Sequence, residues 1–181
     1  MPVDTRLTYD DFCLLPEDGK RREIIEGELF VTPSPLTLHQ RIVMRLSVYL
    51  WQFVDQHQLG EVFAAPFDVV FSDFDVVEPD LLYISNARAG FLTNKNVQGA
   101  PDLIVEVLSE STARMDRSVK LKLYGRHGVQ EYWIIDPVGP SAEIYRRGEA
   151  GLDLAAKLSA ADALMSPLFP GFSLSLRKLT E

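Results

Sequence analysis

The chain has 181 residues, 46% apolar and 24% charged, with a formal net charge of −8. These proportions exclude a disordered or collagen-like chain, and the single cysteine, Cys13, excludes an internal disulfide and a cysteine-rich zinc site. The acidic balance argues against a protein that coats nucleic acid through bulk charge, because such proteins replace phosphate counterions with lysine and arginine.

At roughly 100–200 residues per domain, the length predicts one domain over 1–181. No apolar run approaches the ~18 residues of a membrane span. The stretch Met1-Pro-Val-Asp-Thr-Arg6 lacks a basic region followed by an apolar one, so no export signal is expected and the location expected is cytoplasmic.

In chain order, Arg22 to Val31 reads as a hairpin turning at Glu26-Gly27, and Pro33 and Pro35 end it. Residues 37–57 show helical spacing in Ile42, Leu46, Leu50 and Phe53 or Val54, with Gly60 as a stop. Strands follow from Val62: Phe67 to Phe71, Val76-Val77, and Asp80 to Ile84, with a polar turn at Ser72 to Asp75. Residues 85–101 read mostly as loop. Leu103 to Leu108 is a strand, Asp116 to His127 a helix ended by Gly128, and Glu131 to Asp136 another strand ended by Pro137. Ile144-Tyr145 begins a further hairpin in a strand-rich tail. The order predicts an α/β or α+β domain with a mixed sheet. The segment between strands 103–108 and 131–136 has the length of a crossover, so those strands are expected to be parallel.

Glu106 is the one polar residue in the run Leu103 to Leu108. A strand this apolar is normally covered on both faces, and a buried carboxylate must be paired, protonated or bound to a metal. It is therefore either half of a structural ion pair, or a metal ligand or general base. Asp80, after Pro79, opens another apolar strand; alone it would read as a turn aspartate. Asp102 is the rival partner for Glu106. Residues four apart on one strand lie ~13 Å apart, whereas neighbouring strands lie ~4.8 Å apart, so Asp80 is preferred.

Residues 114–126 hold Arg114, Arg117, Lys120, Lys122 and Arg126 against Asp116, a local excess of +4. Such a run is a solvated helix face or part of a site. Asp116, Lys120 and Tyr124 form one stripe, and Val119 and Leu123 beside it are expected to face the sheet. Lys120 would then sit at the edge of the buried face, either in a surface pair with Asp116 or reaching back towards the carboxylates.

Pro79-Asp80, 25 intervening residues, then Glu106-Val107-Leu108 resemble the PD-(D/E)xK nuclease signature, with Leu108 where a lysine commonly stands. A longer ordered set resembles one branch, the Uma-type restriction-endonuclease-like family. It comprises Glu23 to Glu28, Pro33-Ser-Pro35, His39-Gln40, Pro66 to Val69, Glu78 to Leu81, Ala100 to Ser109, Ser111-Thr112, Asp116-xxx-Lys120-xxx-Tyr124, Gly128-Val129, Glu131 to Trp133 and Pro167 to Gly171. In that branch the lysine is thought to have moved onto the following helix, which fits Lys120.

The resemblance implies a restriction-endonuclease-like core, a mixed sheet flanked by helices, and metal-dependent cleavage of DNA by a homodimer. It implies Asp80 and Glu106 as ligands of Mg²⁺ or Mn²⁺, with the main-chain carbonyl of Val107. Lys120 would act on the attacking water or the phosphate charge, flanked by Asp116 and Tyr124. Arg114, Arg117 and Lys122 would hold the nucleic-acid backbone. His39 either lines the site or is a capped structural histidine, the second being preferred. Glu23, Glu26 and Glu28 read as hairpin surface, with one of them able to reach the metal. Trp51, Tyr132 and Trp133 read as core or dimer interface. The alternative function is a degenerate nuclease fold that binds nucleic acid or a protein partner without cutting.

Overall fold

The computed structural model describes residues 6–181; residues 1–5, most of the stretch read above for an export signal, lie outside the described residues. Helix α1 (Tyr9–Cys13) opens with a capping box between Thr8 and Asp11. Strands β1 (Arg21–Ile25) and β2 (Glu28–Thr32) pair as the expected hairpin. Glu26 and Gly27 both have positive φ, 55° and 82°, the conformation a two-residue hairpin turn requires. At Gly27 a side chain would also collide with Arg6.

Helix α2 (Thr37–Gln56) buries Ile42, Leu46, Leu50 and Val54, the spacing read from the sequence. Strands β3 (Gly60–Ala64), β4 (Val69–Ser72), β5 (Asp75–Val77) and β6 (Leu81–Ser85) follow. The segment expected to be mostly loop contains a 3₁₀ turn, Asn86–Phe91, and strand β7 (Val97–Gln98). Two residues show no alternation, so a strand as short as β7 has no sequence signature.

Strand β8 (Leu103–Val107) leads into a helix that begins earlier than expected, as α3 (Ala113–Met115), a π-helical turn (Asp116–Lys120) and α4 (Leu121–His127). Gly128, at φ 94°, ends it in the left-handed conformation. The tail comprises β9 (Glu131–Asp136), β10 (Ser141–Arg147), β11 (Leu152–Leu158), β12 (Ala163–Leu164), β13 (Leu174–Ser175) and α5 (Arg177–Thr180).

A six-stranded mixed sheet runs in the order β11-β10-β9-β8-β6-β3, and β8 and β9 are parallel as expected from the crossover. A second sheet runs β2-β1-β5-β4-β7. Side-chain alternation divides the interior in two. Leu81, Tyr83, Leu103, Val105, Trp133 and Ile135 join α2 and the C-terminal Phe169, Phe172 and Leu179 in one core. Leu82, Ile84, Ile104, Leu108, Tyr132 and Ile134 join Leu123, Tyr124 and the second sheet in the other. Tyr132 and Trp133 are therefore core, whereas Trp51 is exposed on α2. No helix among the described residues is long and apolar enough to cross a membrane.

Candidate active site

The ladder between β6 and β8 pairs Leu81 with Val105, Leu82 with Ile104 and Tyr83 with Leu103. One step further brings Asp80 opposite Glu106. Alternation turns Glu106 to the side of Ile104 and Leu108, the core shared with α4 and the second sheet. Both acids are buried. Asp102 stays at the far end of β8, where it accepts the Ser85 N–H at 2.7 Å and faces Arg88.

Each carboxylate is oriented by one of its oxygens. Asp80 Oδ2 accepts the Val107 N–H at 2.7 Å and lies 3.1 Å from His39 Nε2. Glu106 Oε1 accepts Lys120 Nζ at 2.8 Å and the Tyr124 hydroxyl at 2.9 Å. The other two oxygens, Asp80 Oδ1 and Glu106 Oε2, share one guanidinium: Arg21 Nη1 lies 2.7 Å from the first and Nη2 3.3 Å from the second.

Lys120 is at the centre of the buried face, not its edge, with a side chain 2% exposed. Its ammonium also meets Glu23 Oε1 at 2.9 Å and Asp116 Oδ1 at 3.7 Å, so the Asp116–Lys120 pair is buried, not a surface pair. The π-helical turn accounts for the change of phase. An i→i+5 turn accommodates an extra residue; Val119, expected to face the sheet, is 40% exposed, while Lys120 points inward.

The protonation equilibria follow from this crowding. Burial pushes Glu106 up to about 7, the Lys120 and Arg21 charges opposing and Asp80 adding to the rise. Burial also acts to raise Asp80, but the bonds from His39 and Val107 and the Arg21 charge outweigh it and hold Asp80 at about 2. Burial raises Asp116, with Glu23 and Asp80 as like charges. Burial would lower Lys120, yet Glu106, Glu23 and Asp116 together hold it above its ordinary value.

These groups form the floor of a cleft of about 520 Å³. One wall is the end of β2 and the loop to α2, with Thr32 and Pro35; the other is the β8–α3 loop with Ser109 and Thr112. Among the described residues no three His, Cys, Asp or Glu side chains form a ready-made metal cage. Two opposed carboxylates nevertheless suit a magnesium-like ion, which keeps several waters and takes one or two carboxylates. Arg21 is a stand-in cation at that place. Glu23 Oε2 and Asp116 Oδ1, on the two further carboxylates that face Lys120, are buried without hydrogen-bond partners, a further surplus of hard oxygen. The donor set fits a hard divalent ion.

The Uma2 family, described as “Putative restriction endonuclease”, matches residues 9–177. The chain belongs to that family. Comparison with curated proteins gives no match. A crystal structure described as a putative nuclease belonging to DUF820, from Anabaena variabilis ATCC 29413, is similar with a TM-score of 0.80 and 23% identity. The similarity covers 96% of this chain and 97% of that one, and it shows a shared fold of mixed sheets flanked by helices.

Within this Uma2 chain, three participants have no signal in the acid-and-lysine pattern. Arg21 and Glu23 stand on β1, in the second sheet, and Glu78 precedes Asp80. Glu23, read as hairpin surface or as one of three glutamates able to reach the metal, is fully buried, with Oε1 2.9 Å from Lys120 Nζ. Its place two residues before Ile25 on one strand face is the cue that marks it as inward. His39 is held against Asp80, on the cleft, not in a helix cap. Arg114, Arg117 and Lys122 do not line the cleft. Arg117 is tied to Glu143 at 2.9 Å and Asp136 at 3.6 Å, and Arg114 and Lys122 are exposed on the outer helix face.

Proposed function

We propose that the chain is an endonuclease that hydrolyses phosphodiester bonds of DNA and depends on Mg²⁺ or Mn²⁺. The observation that carries this reading is the convergence of Asp80 Oδ1 and Glu106 Oε2 on one cation position, with Lys120 bonded to Glu106 in the same cleft. Asp80, Glu106 and the main-chain carbonyl of Val107 would hold the metal. A divalent ion bound there supplies Lewis-acid polarisation of the scissile phosphate.

The chain's own groups do the rest. Asp80 stays ionised at neutral pH, and His39 and the Val107 N–H fix its orientation. Tyr124 fixes Glu106 by donating to Oε1. Lys120 remains charged, because three carboxylates face it. It is therefore a charge stabiliser and not a proton acceptor: its ammonium offsets the negative charge that grows on the phosphate and orients the attacking water. The reading includes cytoplasmic location and a homodimer, for which exposed Met44, Val48 and Trp51 along one stripe of α2 supply an apolar face.

The test is nicking of supercoiled plasmid with Mg²⁺ or Mn²⁺. Wild type cuts, and Asp80→Asn and Glu106→Gln do not. A wild type inactive with either metal, or either variant cutting at the wild-type rate, overturns the reading. The net charge of −8 favours the second reading, a nuclease fold that binds a partner without cutting. Calorimetric Mn²⁺ titration separates the two: equal heats for wild type and Asp80→Asn support the second.

A further inference from the structure

The four carboxylate oxygens of Asp80 and Glu106 are allocated unevenly. Asp80 Oδ2 is taken by His39 and the Val107 N–H, and Glu106 Oε1 by Lys120 and Tyr124. Only Asp80 Oδ1 and Glu106 Oε2 remain for a metal, and Arg21 already contacts both, at 2.7 and 3.3 Å. Hard divalent ions take oxygens at about 2.0–2.6 Å. A guanidinium and such an ion cannot share those two atoms.

Two cations face these acids, but one alone has an exit. Lys120 is enclosed, with a side chain 2% exposed. Arg21 is 20% exposed and stands on the cleft wall. Its Nη2 also donates to the Glu78 carbonyl, and its Nε lies 3.5 Å from Glu78 Oε1 without a hydrogen bond. The guanidinium is thus attached at its tip and borders the open cleft.

We propose that Arg21 is the resident counter-cation of the metal-free site, and that a divalent ion enters between Asp80 and Glu106 only by displacing its guanidinium. The proposal rests on the metal-nuclease reading above. The physical basis is the opposition of two buried acids across one ladder step. Without a cation they repel; Arg21 offsets this until a doubly charged ion replaces it. Because the metal-competent state has Arg21 swung out, the apparent metal affinity is reduced by the small fraction of molecules in that state.

The experiment compares full-length wild type, Arg21→Met, Arg21→Lys and Asp80→Asn by Mn²⁺ calorimetry and by thermal melts with and without Mn²⁺. Arg21→Met is expected to melt lower without metal, to bind Mn²⁺ about tenfold or more tightly than wild type, and to gain more in Tm from Mn²⁺. Unchanged or weaker Mn²⁺ binding by Arg21→Met, with binding still lost in Asp80→Asn, overturns the proposal and leaves the nuclease reading standing. Mn²⁺ binding that survives Asp80→Asn overturns both. If Arg21→Met does not fold without metal, Arg21→Lys decides. A single ammonium lacks the fork that spans both oxygens, so tighter Mn²⁺ binding supports the displacement and unchanged binding overturns it.

Discussion

Lys120 Nζ lies 2.8 Å from Glu106 Oε1, a bond between a helix and a strand whose partners are 14 residues apart. The same ammonium meets Glu23 at 2.9 Å, so Lys120 joins the two sheets as well as facing the cleft. Its removal should therefore affect both stability and chemistry.

Lys120→Met is expected to cut plasmid about 10²-fold more slowly or worse, the scale for losing one charge stabiliser. It should also lower the stability of the metal-free protein, by up to about 3–5 kcal/mol if the facing acids stay ionised. Mn²⁺ affinity should be kept or raised, because a neighbouring cation is gone. Lys122→Met, on the exposed face, is the control and should lie within about 0.5 kcal/mol of wild type in stability. Single-turnover cleavage, calorimetry and urea titration check these outcomes; a Lys122→Met defect larger than that of Lys120→Met would contradict them.

Glu106 and Glu78 are each pushed up to about 7, burial being the largest cause for both. A carboxyl whose folded pKa is raised binds its proton more tightly in the folded protein. The stability it lends is complete below the ordinary value near 4.5 and is lost as pH rises to about 7. Asp80, held at about 2, acts in the opposite sense only at pH below its ordinary 3.8, outside that window. The metal-free Tm should thus fall between pH 4.5 and 7. Glu106→Gln should remove part of the slope and leave that of Glu78. Identical slopes for variant and wild type in buffered thermal melts would sink the assignment.

His39→Gln loosens the orientation of Asp80 and removes a bond that favours its ionised form. Partners that orient metal ligands are typically worth about 10–100-fold in metal affinity. Weaker Mn²⁺ binding on that scale is expected by calorimetry with the circular dichroism unchanged. Wild-type affinity would show that the Val107 N–H alone suffices.

Tyr124→Phe deletes the hydroxyl that donates to Glu106 Oε1 at 2.9 Å and leaves the ring in the core. Hydrogen bonds to charged groups contribute about 1.5–3 kcal/mol. Urea unfolding should show a loss of this order above pH 7, where Glu106 is mostly ionised. A variant as stable as wild type would mean that Lys120 satisfies that oxygen unaided.

The apolar runs around Asp80 and Glu106 determine by themselves that Glu106 lies within one buried strand and that Asp80 stands at the entrance to another. The ~4.8 Å strand spacing then makes a meeting between neighbouring strands feasible, and the ladder realises it one step beyond Leu81 and Val105. The α2 stripe, the hairpin turn at Glu26-Gly27 and the β8–β9 crossover are equally legible, because each is governed by a local period or turn chemistry. The positions of Arg21 and Glu23 are decided only by the tertiary structure. They lie on a strand of the other sheet, and nothing within β1 states which buried acids that sheet will cover. The inward turn of Lys120 belongs there too. A π-helical turn breaks the 3.6-residue period, and it persists here with Lys120 bonded to Glu23 and Glu106 from two different sheets. Local periodicity cannot encode a phase that is set by a distant partner.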